Sequence, residues 1–134
     1  MGRAIRMQRS ELVWETRVSY FEESDWESLK SHYKSFEKYE ESTDYWYKDK
    51  NAIWKVIQNL TYEDVIAEFE RDARGEEPTI NFTHQRTNAM GESWSWDQSL
   101  YDIVVEWMRD DNYEADVCDS SYADDYEEYV ELVD

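Results

Sequence analysis

The fold class follows from residues 12–40, which read LVWETRVSYFEESDWESLKSHYKSFEKYE. At the start of this stretch, apolar side chains alternate with polar ones at Leu12, Trp14, Val18 and Tyr20. A period of two is typical of a half-buried strand. The period then changes to that of a helix, because large apolar residues recur three or four positions apart. A strand followed directly by an amphipathic helix predicts a mixed fold.

A helix is predicted from Ser24 to about Glu40. Ser24 and Glu27 have the spacing of a capping box, in which two side chains bind the free N–H groups at a helix start. The apolar face of this helix contains Trp26, Leu29, Tyr33 and Phe36.

Two more helices are predicted in the middle of the chain. A short apolar segment follows Asn51, and Thr61 and Asp64 have the pattern of a second helix start. Gly75 is expected to end that second helix, because glycine is the residue most often found just past a helix end.

The last third of the chain predicts two helices, one strand and a second, short strand at Val117 and Cys118. Residues 79–84 alternate as a strand does, residues 88–91 have the composition of a loop, and Ser93 or Ser95 is expected to cap the next helix. The apolar face of that helix would contain Trp96, Leu100, Ile103, Val104 and Trp107, and a terminal helix would contain Tyr122, Tyr126, Tyr129, Val130 and Val133. The sum is an α+β fold, a helix-dominated single domain over residues 1–134 with a small antiparallel sheet.

The tryptophans of the middle region are expected in the core. These are Trp46, Trp54, Trp94 and Trp96. Because Trp94 and Trp96 are two positions apart, they cannot share one face of a helix, so we expect one of them at the surface or at a helix cap.

Negative charge dominates the composition. The chain has 134 residues, with 33 Asp or Glu against 14 Lys or Arg and a formal net charge of −19. Its aromatic content of 16% is too high for a disordered chain and sufficient for a folded core. A surface of this sign repels phosphates, so direct binding to nucleic acid or to an anionic membrane is not expected.

The cysteine content and the N-terminus indicate a cytoplasmic protein. Cys118 is the single cysteine, so no disulfide can form within the chain. No apolar stretch approaches the roughly 18 residues that span a bilayer, and the basic N-terminus lacks the apolar region of a secretory leader. If a phage encodes the protein, its compartment is the cytoplasm of the host cell.

Residues suited to catalysis or metal binding are few. His32 and His84 are expected to be ordinary hydrogen-bonded side chains, and Cys118 a small buried one. A calcium loop beginning at Asp110 would place Ala115 where the EF-hand requires glycine, and no zinc or glycine-rich phosphate motif occurs. We therefore expect no catalytic residue, no metal and no cofactor.

The acidic residues are concentrated at the end of the chain. Residues 110–134 contain 11 acids and no base, whereas residues 1–9 contain three arginines and no acid. If residues 110–134 were helical, they would extend about 37 Å, with one charge per roughly 3.4 Å. That spacing is about the charge spacing along one strand of B-DNA. The expected partner-binding residues are Asp110, Asp111, Glu114, Asp116, Asp119, Tyr122, Asp124, Asp125, Glu127, Glu128 and Glu131.

To match the charge of duplex DNA, the protein would need a second row of carboxylates beside residues 110–134. A symmetric homodimer would supply one. Within the chain, the candidates are Glu63, Asp64, Glu68, Glu70 and Asp72 on the helix after Thr61, and Glu22, Glu23, Asp25 and Glu27 near the earlier cap.

In composition and in this acidic run, the chain resembles the DNA-mimic inhibitors of phages and mobile elements, which include anti-restriction and anti-CRISPR proteins. The resemblance implies a non-enzymatic inhibitor whose carboxylates occupy the positive groove of a DNA- or RNA-binding protein. Arg3, Arg6 and Arg9 do not suit a phosphate mimic, and we expect them to be tail residues that pair with acids of the domain itself.

Three other interpretations remain open. An immunity protein or an antitoxin-like module would neutralise one specific basic protein, held by aromatic anchors. A small enzyme would have a concave site with perturbed carboxylates. A protein adapted to high salt would carry its acids on all faces. Competition by nucleic acid for the bound partner separates the mimic from all three.

Overall fold

A computed structural model describes residues 3–12, 15–113 and 127–134. Its elements confirm a single α+β domain with two small antiparallel sheets. In chain order they are β1 (Ala4–Leu12), β2 (Glu15–Phe21), α1 (Glu23–Lys34), α2 (Tyr45–Ile57), α3 (Tyr62–Ala73), β3 (Asn81–Thr87), β4 (Ser93–Ser99), α4 (Leu100–Tyr113) and β5 (Glu127–Val133), with a single 3₁₀ turn at Glu37–Tyr39.

The first sheet joins the two ends of the chain. Its strand order is β2-β1-β5, with β1 in the centre and both neighbours antiparallel to it. Ile5, a fully buried residue of β1, pairs with Phe21 on one side and with Leu132 on the other. The predicted N-terminal tail is therefore wrong, because the segment that contains Arg6 and Arg9 is the central strand.

The predicted terminal helix is also wrong over its described part. Residues 127–133 form β5, in which the partly buried Val130 and Leu132 face the core and Tyr129 lies on the exposed face. This alternation has the period of a strand, and β1 supplies the hydrogen-bonding partner that a lone segment lacks. Residues 117 and 118, suggested as a short strand, lie outside the described residues.

The strand predicted over residues 12–20 is two strands. Leu12 ends β1, and Glu15 begins β2. Helix α1 is capped two residues before the predicted Ser24, since Glu22 and Asp25 form its capping box, and it ends at Lys34 rather than near Glu40.

Helix α2 is longer than its apolar segment suggested. Asp44 caps it, accepting a hydrogen bond from the Trp46 N–H at 2.9 Å. Asn51 lies inside the helix and is buried, with its side-chain amide donating to the Phe36 carbonyl at 3.1 Å. Helix α3 is confirmed, with the Thr61–Asp64 capping box and Gly75 just past its end at φ +77°.

Strands β3 and β4 form a hairpin whose second strand was predicted as helix. The predicted loop at residues 88–91 is confirmed as the turn, with Gly91 at φ +84°. Ser93–Ser99 is a strand, and the helix starts at Leu100, where the Ser99 hydroxyl accepts from the Asp102 N–H at 3.1 Å. Trp94 and Trp96 therefore share one face of a strand, because successive side chains alternate between faces.

Helix α4 holds the two sheets together. It packs against β2, α3 and β4, while α2 packs against α1 and β3. Side chains from all of these elements meet in one core, and each large apolar side chain that is fully buried contributes about 2 kcal/mol. The most deeply buried apolar residues are Ile5, Met7, Phe21, Trp26, Leu29, Ile57, Val65, Leu100, Val104 and Met108.

Candidate functional site: an acidic end and an aromatic groove

Glu128 shows how the fold uses the acids of the C-terminal strand. Its side chain is 15% exposed, and its two oxygens accept hydrogen bonds from Arg109, at 2.8 Å from Nε and 2.7 Å from Nη2. The Nε of the fully buried Arg9 lies 3.8 Å from the same carboxylate. A bidentate pair of this kind neutralises Glu128 and links β5 to α4 and β1.

Two more acids of this strand region also have arginine partners. Glu131 lies 3.4 Å from the Arg6 guanidinium on the neighbouring strand, and Asp134 lies 3.3 Å from Arg3. The expected pairing of the N-terminal arginines with acids of the domain is thus confirmed. Because arginines pair with Glu128, Glu131 and Asp134, residues 127–134 carry less unpaired negative charge than their sequence indicates.

The other predicted partner-binding residues are placed only in part. Asp110 and Asp111 lie in the last turns of α4, and Glu127 begins β5. Glu114, Asp116, Asp119, Tyr122, Asp124 and Asp125 lie outside the described residues.

A different group of acids surrounds the Tyr62 hydroxyl, where α1 and α3 both begin. The hydroxyl donates to the Arg3 carbonyl at 2.5 Å, with the Phe21 carbonyl 3.2 Å away. Burial, followed by the charges of four nearby carboxylates, raises the pKa of Tyr62 to about 12. We call these four carboxylates, on Glu22, Glu23, Asp25 and Glu63, the acidic end.

Helix geometry explains why acids gather there. The first backbone N–H groups of a helix have no partner within the helix, and they attract negative charge. Asp25 accepts from the Glu22 N–H at 2.8 Å, and Asp64 accepts from the Thr61 N–H at 2.7 Å. Backbone amides thus hold the acids in place here, where arginines do so in β5.

The acidic end differs from β5 in the partners of its carboxylates. None of them forms an ion pair with a lysine or arginine among the side chains that the structure describes. Two helix starts therefore present unneutralised carboxylates on one surface.

Glu68 does not belong to the second row of surface acids that the sequence analysis suggested. It is only 4% exposed, so it contributes no surface charge. Its carboxylate accepts from the Thr79 N–H and the Ile80 N–H, both at 2.9 Å, and from the Thr79 hydroxyl at 2.7 Å. Glu68 is thus a structural residue that fixes the segment leading into β3.

The opposite end of α1 borders an aromatic surface. Trp46, Trp94 and Trp96 are 56%, 52% and 43% exposed, so the core placement was wrong for Trp46 and for both tryptophans of the pair, of which only one was expected at the surface. Trp54 is buried as expected, and its indole N–H donates to Glu37 at 2.9 Å. Exposed tryptophans are uncommon in a monomer surface and are enriched in binding sites.

Between α2, α4 and the hairpin lies a groove of about 300 Å³. We call it the aromatic groove, and its walls include Tyr33, Trp46, Lys50, His84, Arg86 and Trp96. Lys50 is held over the Trp46 ring at 4.9 Å from its centroid, and Arg86 lies between the rings of Tyr45 and Trp96 at 4.6 and 4.8 Å. The rings of the groove are therefore already in contact with cations of this chain.

Arg86 is also the ion-pair partner of Asp49. Its two terminal nitrogens lie 3.1 and 2.6 Å from the Asp49 oxygens, and these hydrogen bonds raise the pKa of Arg86 above its ordinary value. Together the stacking and the ion pair hold β3 against α2.

His84 is buried and belongs to a polar chain beneath the groove. Its Nε2 lies 2.9 Å from the Gln98 oxygen, and the Gln98 amide donates to Glu106 at 3.0 Å. The Gln98 oxygen can only accept, so the proton lies on Nε2. Nδ1 is 3.5 Å from Asp49 without a hydrogen bond. The prediction of a hydrogen-bonded histidine is confirmed.

The sequence held a signal for the exposed tryptophans that the helix prediction overrode. In Ser93–Ser99 the order SWSWDQS alternates small polar and aromatic residues, which is the period of a strand.

His32 is exposed on α1 and contacts the rings of Tyr33, Phe36 and Trp107.

Two searches over the described part of the chain were negative. No group of three or more His, Cys, Asp or Glu side chains within it is arranged to hold a metal ion. None of the helices in those residues has the length and apolar character needed to cross a membrane.

Comparison with models of protein families, with curated proteins and with solved structures gave no match to this chain.

Proposed function

We propose that this protein is a non-enzymatic acidic inhibitor that binds a basic, nucleic-acid-binding protein in place of nucleic acid. The observation that carries the proposal is the acidic end. There Glu22, Glu23, Asp25 and Glu63 converge on one surface with no ion-pair partner among the described side chains. Lysines and arginines that normally contact phosphates would contact these carboxylates instead.

The base-free segment at residues 110–125 belongs to the same proposal. It adds seven acids and no lysine or arginine to a chain of net charge −19. Such a field attracts a basic partner over a distance of about 8 Å at physiological salt and accelerates association. The proposal assigns partner binding to the acidic end and to that segment, while Glu128 and Glu131 serve the fold through their arginines.

The test begins with the partner. The protein is immobilised and used to capture proteins from a lysate of the cells in which its gene occurs, with and without excess duplex DNA and at two salt concentrations. We expect a basic partner that DNA displaces and that raised salt weakens strongly. A partner that is not basic, or that DNA fails to displace, would overturn the proposal.

A pair of matched variants then locates the surface. Glu23→Gln with Glu63→Gln removes two charges from the acidic end and leaves both capping boxes intact. Glu131→Gln with Asp134→Asn removes two charges that arginines already neutralise. We expect the first pair to weaken partner binding about tenfold at low salt and the second less than about threefold. Asp124→Asn with Asp125→Asn tests the base-free segment in the same assay.

The exposed tryptophans favour a second candidate, a module that neutralises one specific basic protein. Trp46, Trp94 and Trp96 are the kind of large, rigid side chains that anchor tight and selective complexes. Such a complex would resist salt and DNA, and Trp94→Ala would weaken it more than Glu23→Gln with Glu63→Gln would.

A further inference from the structure

Within the described residues, the hairpin of β3 and β4 has no third strand on the outer edge of β4. Hydrogen bonds from Asn88 to Glu92 and from Leu100 to Ile80 mark its two ends. Between them the antiparallel register places His84 opposite Trp96, so the hydrogen-bonded pairs contain the even-numbered residues. The N–H and C=O groups of Ser93, Ser95 and Asp97 therefore point away from β3.

The two edges of the hairpin differ. On the β3 side, the Tyr45 hydroxyl accepts from the Thr87 N–H at 2.8 Å and lies 3.1 Å from the Thr87 carbonyl, so the outward groups of Thr87 are already bonded. On the β4 side, the side chains of residues 93–97 are all exposed, and within the described residues β4 pairs only with β3. The edge of β4 lacks the proline, lysine or bulge by which proteins usually prevent strand addition.

The side chains along this edge indicate what would bind there. Trp94 and Trp96 lie on one face and offer large apolar contacts. Asp97 lies in β4 on the face opposite Trp94 and Trp96, Glu92 precedes the strand, and Glu106 on α4 accepts from Gln98 at the aromatic groove. Each of these acids has a neutral hydrogen-bond partner, Thr83, Asn88 and Gln98 respectively, and no ion pair among the described side chains.

We propose that the outer edge of β4 binds an extended segment of the partner as a third strand, with lysine or arginine at alternate positions. Backbone hydrogen bonds to Ser93, Ser95 and Asp97 would hold the segment. Its apolar side chains would contact Trp94 and Trp96 on one face. The basic character of the segment rests on the proposed function. A second copy of this chain is disfavoured as the occupant, because two chains of charge −19 repel each other.

A synthetic peptide tests the edge directly. The probe is a capped octapeptide of four Lys-Val repeats, titrated into the full chain and followed by amide NMR shifts. We expect the largest shifts at Ser93, Ser95 and Asp97. Ser95→Pro removes an outward N–H without removing a bond to β3, and should weaken binding at least about tenfold. Ser95→Ala keeps that N–H and should change affinity less than twofold.

Control peptides separate strand addition from simple charge attraction and do not depend on the folding of a variant. One has the same composition in blocks of four lysines and four valines, and another carries N-methyl groups on the alternate residues. Both should bind at least about tenfold more weakly to the unaltered protein. Equal binding of all three peptides would overturn the proposal, as would shifts confined to Glu23 and Glu63.

The free protein supplies a further check. Amides of Ser93, Ser95 and Asp97 should exchange rapidly with solvent, and sedimentation should show a monomer. Slow exchange at these amides would mean that the edge is already occupied, and a dimer with slow exchange would identify a second copy as the occupant. Either result overturns the proposal. If DNA displaces the partner but the partner binds the Ser95→Pro variant normally, the proposal of strand addition at β4 is overturned and the proposed function stands.

Discussion

Strand β5 and the acidic end are both rich in acids, and they differ in what faces the carboxylates. In β5, Glu128 and Glu131 lie within reach of arginines from β1 and α4. At the acidic end, Glu23 and Glu63 lie in the first turns of two helices, where backbone N–H groups and not arginines favour their charge. The number of acids in a segment of sequence therefore does not show which carboxylates are unpaired on the surface.

The difference assigns separate roles to acids that look alike in the sequence. A carboxylate enclosed by a bidentate arginine stabilises a contact between distant segments, because removing either partner leaves the other charge without compensation. A carboxylate that only a helix start supports costs the fold little to change and stays available to a partner. Substitutions of single acids should reveal these roles as changes in stability of very different size.

The largest effect is expected at Glu68. It lies on the same helix as Glu63 but is buried with three hydrogen-bond donors around its carboxylate. Glu68→Ala should lower the free energy of unfolding by about 3 kcal/mol, since it leaves buried donors unpaired. Urea denaturation measures the loss. Glu68→Gln, which keeps an acceptor, should lose less, and equal losses in the two variants would contradict this assignment.

An intermediate effect is expected for Arg109→Met. Glu128 would lose its bidentate partner while remaining mostly buried, so we expect a loss of about 2 kcal/mol in the free energy of unfolding. Arg109→Met combined with Glu128→Gln should lose more than the single variant, because the fully buried Arg9 then also loses the carboxylate that lies 3.8 Å from its Nε. A double variant as stable as the single one would contradict this charge-based assignment.

The smallest effect on stability is expected for Glu23→Gln with Glu63→Gln. The free energy of unfolding at pH 7 should change by less than about 0.5 kcal/mol, because weak helix-end attraction and mutual repulsion are lost together. The pKa of Tyr62, about 12 in the folded protein, should fall but stay above 10, since burial is its first cause. NMR titration of labelled tyrosine measures it, and an unchanged pKa would place these acids farther from Tyr62.

The same tyrosine gives the sign of a pH dependence. Its pKa is raised by folding, so its contribution to stability is complete below pH 10 and declines as pH rises toward 12. Tyr101, whose pKa is also raised to about 12 by burial and neighbouring acids, acts in the same direction.

Much of the fold was predictable where the signal is local. The Thr61–Asp64 capping box, the turn ending at Gly91 and the apolar face of α4 each depend on residues a few positions apart. Strand β5 was not predictable in this way. Its tyrosines and valines fit a helical spacing as well as a strand, and the pairing with β1, more than 100 positions away, decided between them.

The same distinction between local and long-range information applies to the candidate site. Net charge and the lack of bases after Arg109 are properties of the sequence, and they are the reason for proposing a basic partner. Which acids remain free is a property of the folded chain. It depends on whether an arginine from another segment comes within about 4 Å, the distance over which an ion pair forms.

Short-range patterns thus set the helix starts, the turns and the acidic character of this protein, because caps and periodicity act within one or two turns of chain. Tertiary contacts decided the conformation of its last strand and the neutralisation of Glu128. Each of these depends on what a remote segment places beside the residue, and no local pattern records that.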